Sequence, residues 1–389
     1  MRPRSHEIAK PLDASLYNKA RRVTSCFRVF VAAIRTLPAS AAARLVAVLL
    51  LAAAAVAAAA APPPERHLYV ALPASDAEPD RSVRLVVFDI ADANRFVRRV
   101  PLWPAPATGS AETVRGLAAH AGTGRLYLST TVRLAAIDLK TGKVIWSQRY
   151  DGHCCDRAAV SPDGKTIYAP AFGSAKWYVV AAATGELRAS IAVAGWPRET
   201  IYSRDGTSVF LAAWDSRMLT VADAATHAAA RTVGPFSASL CPFTVNAKGT
   251  LAFANVDGLV GFEAGDLQTG AVLDRVAATG SDPEAAKPFE CPSHGIALAP
   301  DERELWIADG IENRLIVFDA REYPPVQRAA VALPAQPRWL VFSGDGRYVY
   351  PSTGDVVDAA TKKIVGVLET PPGRKIDSSV LVEIDRPPS

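Results

Sequence analysis

The chain lacks the short signatures that identify several common classes of enzyme. It contains no G-x-S-x-G, no G-x-x-x-x-G-K-[ST] and no C-x-x-C-H, and it has no C-x-x-C or H-x-x-x-H pair. These absences argue against a serine nucleophile on a strand-to-helix turn, a phosphate-binding loop, covalently attached haem and a metal site of closely spaced ligands. A functional site would therefore be assembled from residues that are far apart in the sequence.

The part of the chain that follows the first 61 residues also lacks an excess of basic residues. The formal net charge is +4, from 43 Lys and Arg against 39 Asp and Glu. Nine of the basic residues but only two of the acidic ones lie in residues 1–61, which leaves 34 basic and 37 acidic residues in 62–389. Because nucleic acids bind strongly basic faces, we expect no nucleic acid as a partner.

Residues 45–61, LVAVLLLAAAAVAAAAA, form a long apolar run between Arg44 and PPPE. The run is shorter and less hydrophobic than a membrane span of about 20 residues, and its repeated A-x-A is typical of a signal-peptide cleavage region. We predict that residues 1–61 are a leader with a signal-peptide core at 45–61. The mature protein would then have no membrane span and be periplasmic or secreted; an uncleaved anchor is the alternative.

Helical periodicity is absent after the leader, and the chain instead repeats one pattern of turn and strand. In SPDGKTIY (161–168) the Pro, Asp and Gly residues are typical of a tight turn, which leads into a strand with an aromatic residue. We call the aromatic residue of this strand the anchor of its unit. The anchors of seven such units are Tyr69, Tyr127, Tyr168, Phe210, Phe253, Trp306 and Tyr350. Their spacings of 58, 41, 42, 43, 53 and 44 residues lie mostly near the roughly 40–50 residues of one four-stranded propeller blade.

A second alternating segment follows within the unit, as in RLAAIDLKTGKV after Tyr127 and RLIVFDA after Trp306. Apolar residues at every second position, bounded by Asp and Thr-Gly, are typical of short strands joined by tight hairpins. The SPDG turn, the aromatic strand and the V-x-D-x-x-T-G hairpin together resemble the YVTN-type, YncE-like family of exported seven-bladed β-propellers, over about residues 66–385. The resemblance implies an all-β, seven-bladed β-propeller with 62–389 as a single domain, but no particular activity, since propellers carry many functions.

The two ends of the repeat region predict how the ring closes. The first unit begins at its second strand, RHLYVAL (66–72), and the chain finishes with an unassigned alternating segment, SSVLVEID (378–385). We predict that the C-terminal segment supplies the innermost strand of the first blade. This pairing would remove the exposed strand edges that otherwise promote aggregation.

One register of the repeats predicts a functional site. In this fold the residue twelve positions before each anchor begins an innermost strand, at the mouth of the central channel. The six residues at that register are Arg115, Asp156, Arg198, Cys241, His294 and Arg338. Arg157 and Glu199 adjoin two of them. The alternative is that these residues have no binding role: the channel mouth is polar because it is hydrated, and its arginine and aspartate side chains pair across blades.

The residue types at this mouth favour an anionic ligand. Guanidinium groups form bidentate hydrogen bonds with carboxylate or phosphate, and an imidazole can act as general acid or base near neutral pH. We therefore predict an anion site in which His294 is also a catalytic candidate. Its predicted members are Arg115, Asp156, Arg157, Arg198, Glu199, His294 and Arg338.

The cysteines allow two interpretations. Of the five, Cys26 lies in the leader, and an even number in an exported protein is typical of disulfides. We predict a Cys241–Cys291 bridge between consecutive blades and a vicinal Cys154–Cys155 bridge. The alternative is a Cu(I) or Zn(II) site of thiolates and imidazoles at the same mouth. Its ligands would come from His153, Cys155, Cys241, Cys291 and His294.

Two classes of function stay open at this point. The first is a binding module that holds a small anionic molecule or a partner protein over the basic mouth. The second is an enzyme, either lactonase- or lyase-like with His294 as acid or base, or a copper-dependent oxidase. A calcium-dependent lactonase is disfavoured, because Asp156 and Glu199 are the ring's carboxylates. We expect a monomer without a cofactor, with copper or zinc as the alternative.

Overall fold

The computed structural model describes residues 65–75, 81–105, 112–152, 154–282 and 291–386. The predicted leader, residues 1–61, and the predicted metal ligand His153 lie outside the described residues. The described part is built of strands and turns, and its one helix is a 3₁₀ turn at Ala121–Thr123. No helix of these described residues has the length and apolar character to cross a membrane.

Seven antiparallel four-stranded sheets of the described residues form the blades of a ring. The first blade contains β1 (Glu65–Leu72), β2 (Ser82–Asp89) and β3 (Arg95–Pro104). The second contains β4 (Val114–His120), β5 (Arg125–Thr130), β6 (Leu134–Asp138) and β7 (Val144–Gln148). The third contains β8 (Ala159–Val160), β9 (Thr166–Ala171), β10 (Lys176–Ala181) and β11 (Leu187–Ala192). The fourth contains β12 (Trp196–Tyr202), β13 (Ser208–Trp214), β14 (Leu219–Asp223) and β15 (Ala228–Val233).

The remaining blades follow the same order from the innermost to the outermost strand. The fifth contains β16 (Leu240–Val245), β17 (Leu251–Val256), β18 (Gly261–Asp266) and β19 (Val272–Ala277). The sixth contains β20 (Ile296–Leu298), β21 (Glu304–Asp309), β22 (Arg314–Asp319) and β23 (Val326–Ala332). The seventh contains β24 (Leu340–Phe342), β25 (Tyr348–Pro351), β26 (Asp355–Asp358) and β27 (Lys363–Val367). After it come a short hairpin, β28 (Glu369–Thr370) with β29 (Arg374–Lys375), and the last strand, β30 (Leu381–Arg386).

The turn between the first two strands of the third blade shows why the SPDG motif recurs. The Ser161 hydroxyl bonds the Asp163 carboxylate at 2.6 Å, and the same carboxylate oxygen accepts the backbone N–H of Lys165 at 3.0 Å. Gly164 has φ 71°, a conformation that costs glycine little and other residues more. Side chains of the motif thus satisfy the backbone groups of the turn, as its sequence predicts.

Apolar residues between neighbouring blades form the core. Among the described residues, seven buried clusters each join one blade to the next. For example, Tyr127 of the second blade packs with Ile167 of the third, and Tyr350 of the seventh packs with Leu68 of the first. Because the seventh blade packs against the first in the same way as its predecessors, the ring is closed.

The C-terminal strand completes the first blade, as predicted. β30 pairs antiparallel with β1 in a sheet of order β3-β2-β1-β30. The strand itself begins at Leu381, three residues later than the predicted segment, but hydrogen bonds to β1 begin earlier. The Ser378 hydroxyl donates to the carbonyl of Ala71 at 2.9 Å, and the N–H of Ala71 donates to the carbonyl of Val380 at 2.9 Å.

Candidate functional site

The starts of the innermost strands surround one cavity of about 490 Å³. We call this cavity the arginine mouth. Its walls include five of the six residues at the predicted register, and Arg157 as well. These residues are Arg115, Asp156, Arg157, Arg198, His294 and Arg338. Cys241 and Glu199 line a smaller cavity of about 30 Å³, which shares Arg157, Arg198 and His294 with the mouth.

Asp156 lies at the centre of two loose ion pairs. Its side chain is buried, and its two carboxylate oxygens have no hydrogen-bond partner in the described structure. Arg198 Nε lies 3.4 Å from Oδ2, and Arg157 Nη1 lies 3.8 Å from Oδ1. Because these distances exceed those of a good hydrogen bond, Asp156 restrains both guanidinium groups electrostatically and leaves their N–H donors for a ligand.

Aromatic faces support three of the arginines. The guanidinium carbon of Arg157 lies 3.7 Å from the ring centroid of Trp339, and that of Arg198 lies 4.4 Å from Trp214. The guanidinium carbon of Arg115 lies 5.1 Å from the ring centroid of Phe172. Cation–π contact of this kind orients a guanidinium without using its edge donors.

Phe172 and Trp214 are not among the residues predicted from the register. Each stands four positions after an anchor residue, Tyr168 and Phe210 respectively, where the second strand of a blade returns to the channel mouth. In the fourth blade this return places Trp214 opposite Trp196, the first residue of β12. Counting four positions forward from each anchor, as well as twelve back, would have found both residues.

Glu199 is a buried acid beside these arginines. Its Oε2 accepts the backbone N–H of Phe243 at 3.1 Å. Burial raises the pKa of Glu199 to about 7, although Arg157 and the bond from Phe243 act in the opposite direction. A carboxyl group with this pKa changes its charge near neutral pH, which is a property of many acid–base catalysts.

His294 is held through its Nδ1 atom, which lies 3.2 Å from the carbonyl oxygen of Arg338. A carbonyl can only accept, so Nδ1 carries a proton and, in the neutral ring, Nε2 keeps a free lone pair. Burial, followed by the positive charge of Arg157, lowers the pKa of His294 below its ordinary value. The neutral ring is therefore favoured at pH 7, with Nε2 as an acceptor.

The mouth carries an excess of positive charge. Four arginines of the described residues line it, against the carboxyl groups of Asp156 and of Glu199 next to it. Even with both acids ionised, two positive charges are left over. Burial lowers the pKa of Arg198, an effect that Asp156 opposes and Arg157 reinforces. An anion in the mouth would compensate these cations.

The four cysteines of the described structure lie at disulfide distance, as predicted. Cys241 and Cys291 have their Cα atoms 6.1 Å apart, and their bridge joins β16 to the segment before β20. Cys154 and Cys155, which are adjacent in the sequence, form the other disulfide pair. Within the described part of the chain, no three His, Cys, Asp or Glu side chains are grouped as they would be around a metal ion.

No model of a known protein family matches this chain, and no curated protein matches it either. Solved structures do match its fold. One is Kuenenia stuttgartiensis hydrazine synthase, with 15% identity, a TM-score of 0.58, and coverage of 73% of this chain and 89% of that chain. Another is the Myceliophteria thermophila Cps50 (Swd1) β-propeller domain, with 10% identity, a TM-score of 0.53, and coverage of 72% and 89%. At these identities the similarity shows the β-propeller fold alone.

Proposed function

We propose that the protein is an exported, YVTN-type β-propeller that binds a small organic anion in the arginine mouth. The observation that carries the proposal is the excess of arginines over carboxyl groups around one cavity of about 490 Å³. The paired cysteines support export, because disulfides persist in oxidising compartments. Residues 1–61 would then be the leader that directs the chain there.

The arginines fall into two pairs that would have different roles. Arg157 and Arg198 are restrained by Asp156 and stack on tryptophans. Arg115 and Arg338 have no carboxylate partner in the described structure, and Arg338 is exposed. We expect the first pair to define the position of an anionic group and the second pair to close on it. Charge-assisted hydrogen bonds to carboxylate or phosphate are the strong ones among protein hydrogen bonds.

The test is a thermal-shift screen of small carboxylates and phosphates, followed by calorimetry of the best binder. Arg338→Ala should weaken its binding by about 1.5–3 kcal/mol, the usual scale for a hydrogen bond to a charged group, or about 10- to 150-fold. The control is Arg188→Ala, which removes an exposed arginine on β11 in the third blade. The proposal is wrong if no anion binds, or if the two variants bind it equally well.

An enzyme that uses the same mouth is the second candidate. It is favoured by Glu199, whose pKa is raised to about 7 by burial, and by the free lone pair of His294 Nε2 in the neutral ring. In a lactonase- or lyase-like reaction His294 would accept a proton from water or from substrate, while the arginines hold an anionic group of the substrate. A panel of lactones and uronate oligomers tests this, because His294→Gln should abolish turnover and leave binding of the anion measurable.

A further inference from the structure

A third cavity, of about 230 Å³, adjoins the arginine mouth. Arg115 lines both this cavity and the mouth. The rest of the third cavity's wall consists of Thr131, Cys154, Cys155, Phe172, Gly173 and Trp196. We call it the side pocket. A ligand held by Arg115 could therefore occupy the mouth and the side pocket together.

The side pocket offers few hydrogen bonds apart from those of Arg115. Thr131 contributes a hydroxyl, which already accepts the backbone N–H of Thr113 at 3.2 Å. The backbone N–H of Gly173 donates to Gly152 at 2.7 Å, and that of Cys155 donates to Thr130 at 2.8 Å. The remaining lining residues are Phe172 and Trp196, whose rings are apolar apart from the indole N–H, and Cys154, which is paired with Cys155. Such a wall favours an apolar group, because a polar group would lose its hydration without gaining partners.

Two aromatic residues, Phe172 and Trp196, line the side pocket. The rings of Phe172 and Trp196 lie with their centroids 5.7 Å apart in an edge arrangement. Phe172 also contacts both Arg115 and Arg198, at 5.1 and 5.6 Å from its centroid. Trp196 is 52% exposed, which is a large apolar surface to leave in water. An apolar group in the side pocket would cover it and place an attached anion beside the guanidinium groups.

The size of the side pocket limits what it can hold. Its volume of about 230 Å³ exceeds the roughly 150 Å³ of an apolar cavity that binds benzene. One aromatic ring or a short alkyl chain would therefore fit, and a longer chain would extend into the mouth.

We infer that the anion bound at the arginine mouth is an aryl or short alkyl carboxylate, with its carboxylate on the arginines and its apolar group in the side pocket. This inference rests on the proposed anion-binding function. Sugar acids fit less well, because their hydroxyl groups would be desolvated in the side pocket with few partners. Inorganic anions would leave the side pocket and Trp196 uncovered.

The test compares phenylacetate, acetate and glucuronate on the full chain, by calorimetry and, for weak ligands, by competition. Phenylacetate should bind about 30-fold more tightly than acetate, the scale for burial of one ring, and glucuronate should bind no more tightly than acetate. Trp196→Ala should weaken phenylacetate binding by about 10-fold and leave acetate binding unchanged, and Trp196→Phe should restore most of the loss. Leu273→Ala, an exposed apolar residue on the outermost strand β19, is the matched control.

The outcomes separate this inference from the function on which it rests. Equal affinities for acetate and phenylacetate, both weakened by Arg338→Ala, would overturn the side-pocket inference and keep the anion site. Tighter binding of glucuronate than of phenylacetate would overturn it as well. Absence of binding for all three anions would overturn the side-pocket inference, and the proposed function would fall with it only if no other carboxylate or phosphate of the thermal-shift screen binds.

Discussion

The buried acid Glu199 provides a sharp test of the electrostatics of the mouth. Replacement by Gln keeps the side-chain oxygen that accepts the Phe243 N–H but removes the ionisable group. Burial raises the pKa of Glu199 from 4.5 to about 7 in the folded protein. Between these values the folded state holds a proton that the unfolded state has lost, so the contribution of Glu199 to stability falls as the pH rises. The Glu199→Gln variant has no ionisable group at this position, so it does not lose stability in this way as the pH rises.

The expected magnitude follows from the width of this pH window. Each pH unit between the two pKa values corresponds to about 1.4 kcal/mol, which gives about 3 kcal/mol once the pH exceeds both values. Glu199→Gln should therefore raise the free energy of unfolding by about 3 kcal/mol near pH 8. Near pH 5 the free energies of unfolding of the two proteins should differ by less than about 1 kcal/mol, because most of the range between the two pKa values lies above pH 5.

Urea unfolding followed by tryptophan fluorescence at these two pH values measures the effect. Glu186→Gln is the matched control, because Glu186 is exposed on the third blade and its replacement should change stability little at either pH. A Glu199→Gln variant that is less stable than the parent protein near pH 8, or whose advantage is the same at both pH values, would refute the argument. Ionised Glu199 would in that case be well stabilised by Arg157 and Arg198.

Three further predictions concern closure, cysteines and pH. Deletion of residues 378–385 should leave the inner edge of β1 unpaired and cost much of the stability in urea unfolding; an unchanged midpoint would contradict the role of β30. The denatured, unreduced mature protein should contain no titratable thiol and negligible metal, whereas stoichiometric copper or zinc with free thiols would favour the metal alternative. Binding of a permanently ionised anion should strengthen as the pH falls from about 8 to about 5.5, because protonation of Glu199, whose pKa burial raises to about 7, removes a negative charge beside the mouth; a flat profile would count against the proximity of Glu199 to the ligand.

Most of the mouth was predictable because a closed ring converts equal sequence register into equal height around one axis. Arg115, Arg198 and Arg338 each stand twelve positions before an anchor, so a repeat length and a count suffice to bring them to one cavity. The disulfide between Cys241 and Cys291 was predictable for a related reason, because Cys241 stands at that register and Cys291 lies three positions before the register residue His294. The side pocket was not predictable in this way, because Phe172 comes from the end of a second strand and belongs to a different register.

The sequence by itself determined the blade number, the strand order and the closure of the ring, because turn residues and alternating apolar residues act over a few positions and repeat in phase. Only the tertiary structure decided which charges pair and how far each is buried. Asp156 and Arg198 lie on different blades, and their 3.4 Å separation depends on how those blades pack. The raised pKa of Glu199 likewise arises from burial by neighbouring blades. Desolvation and Coulomb energy depend on distances through space, and a linear pattern of residues does not contain those distances.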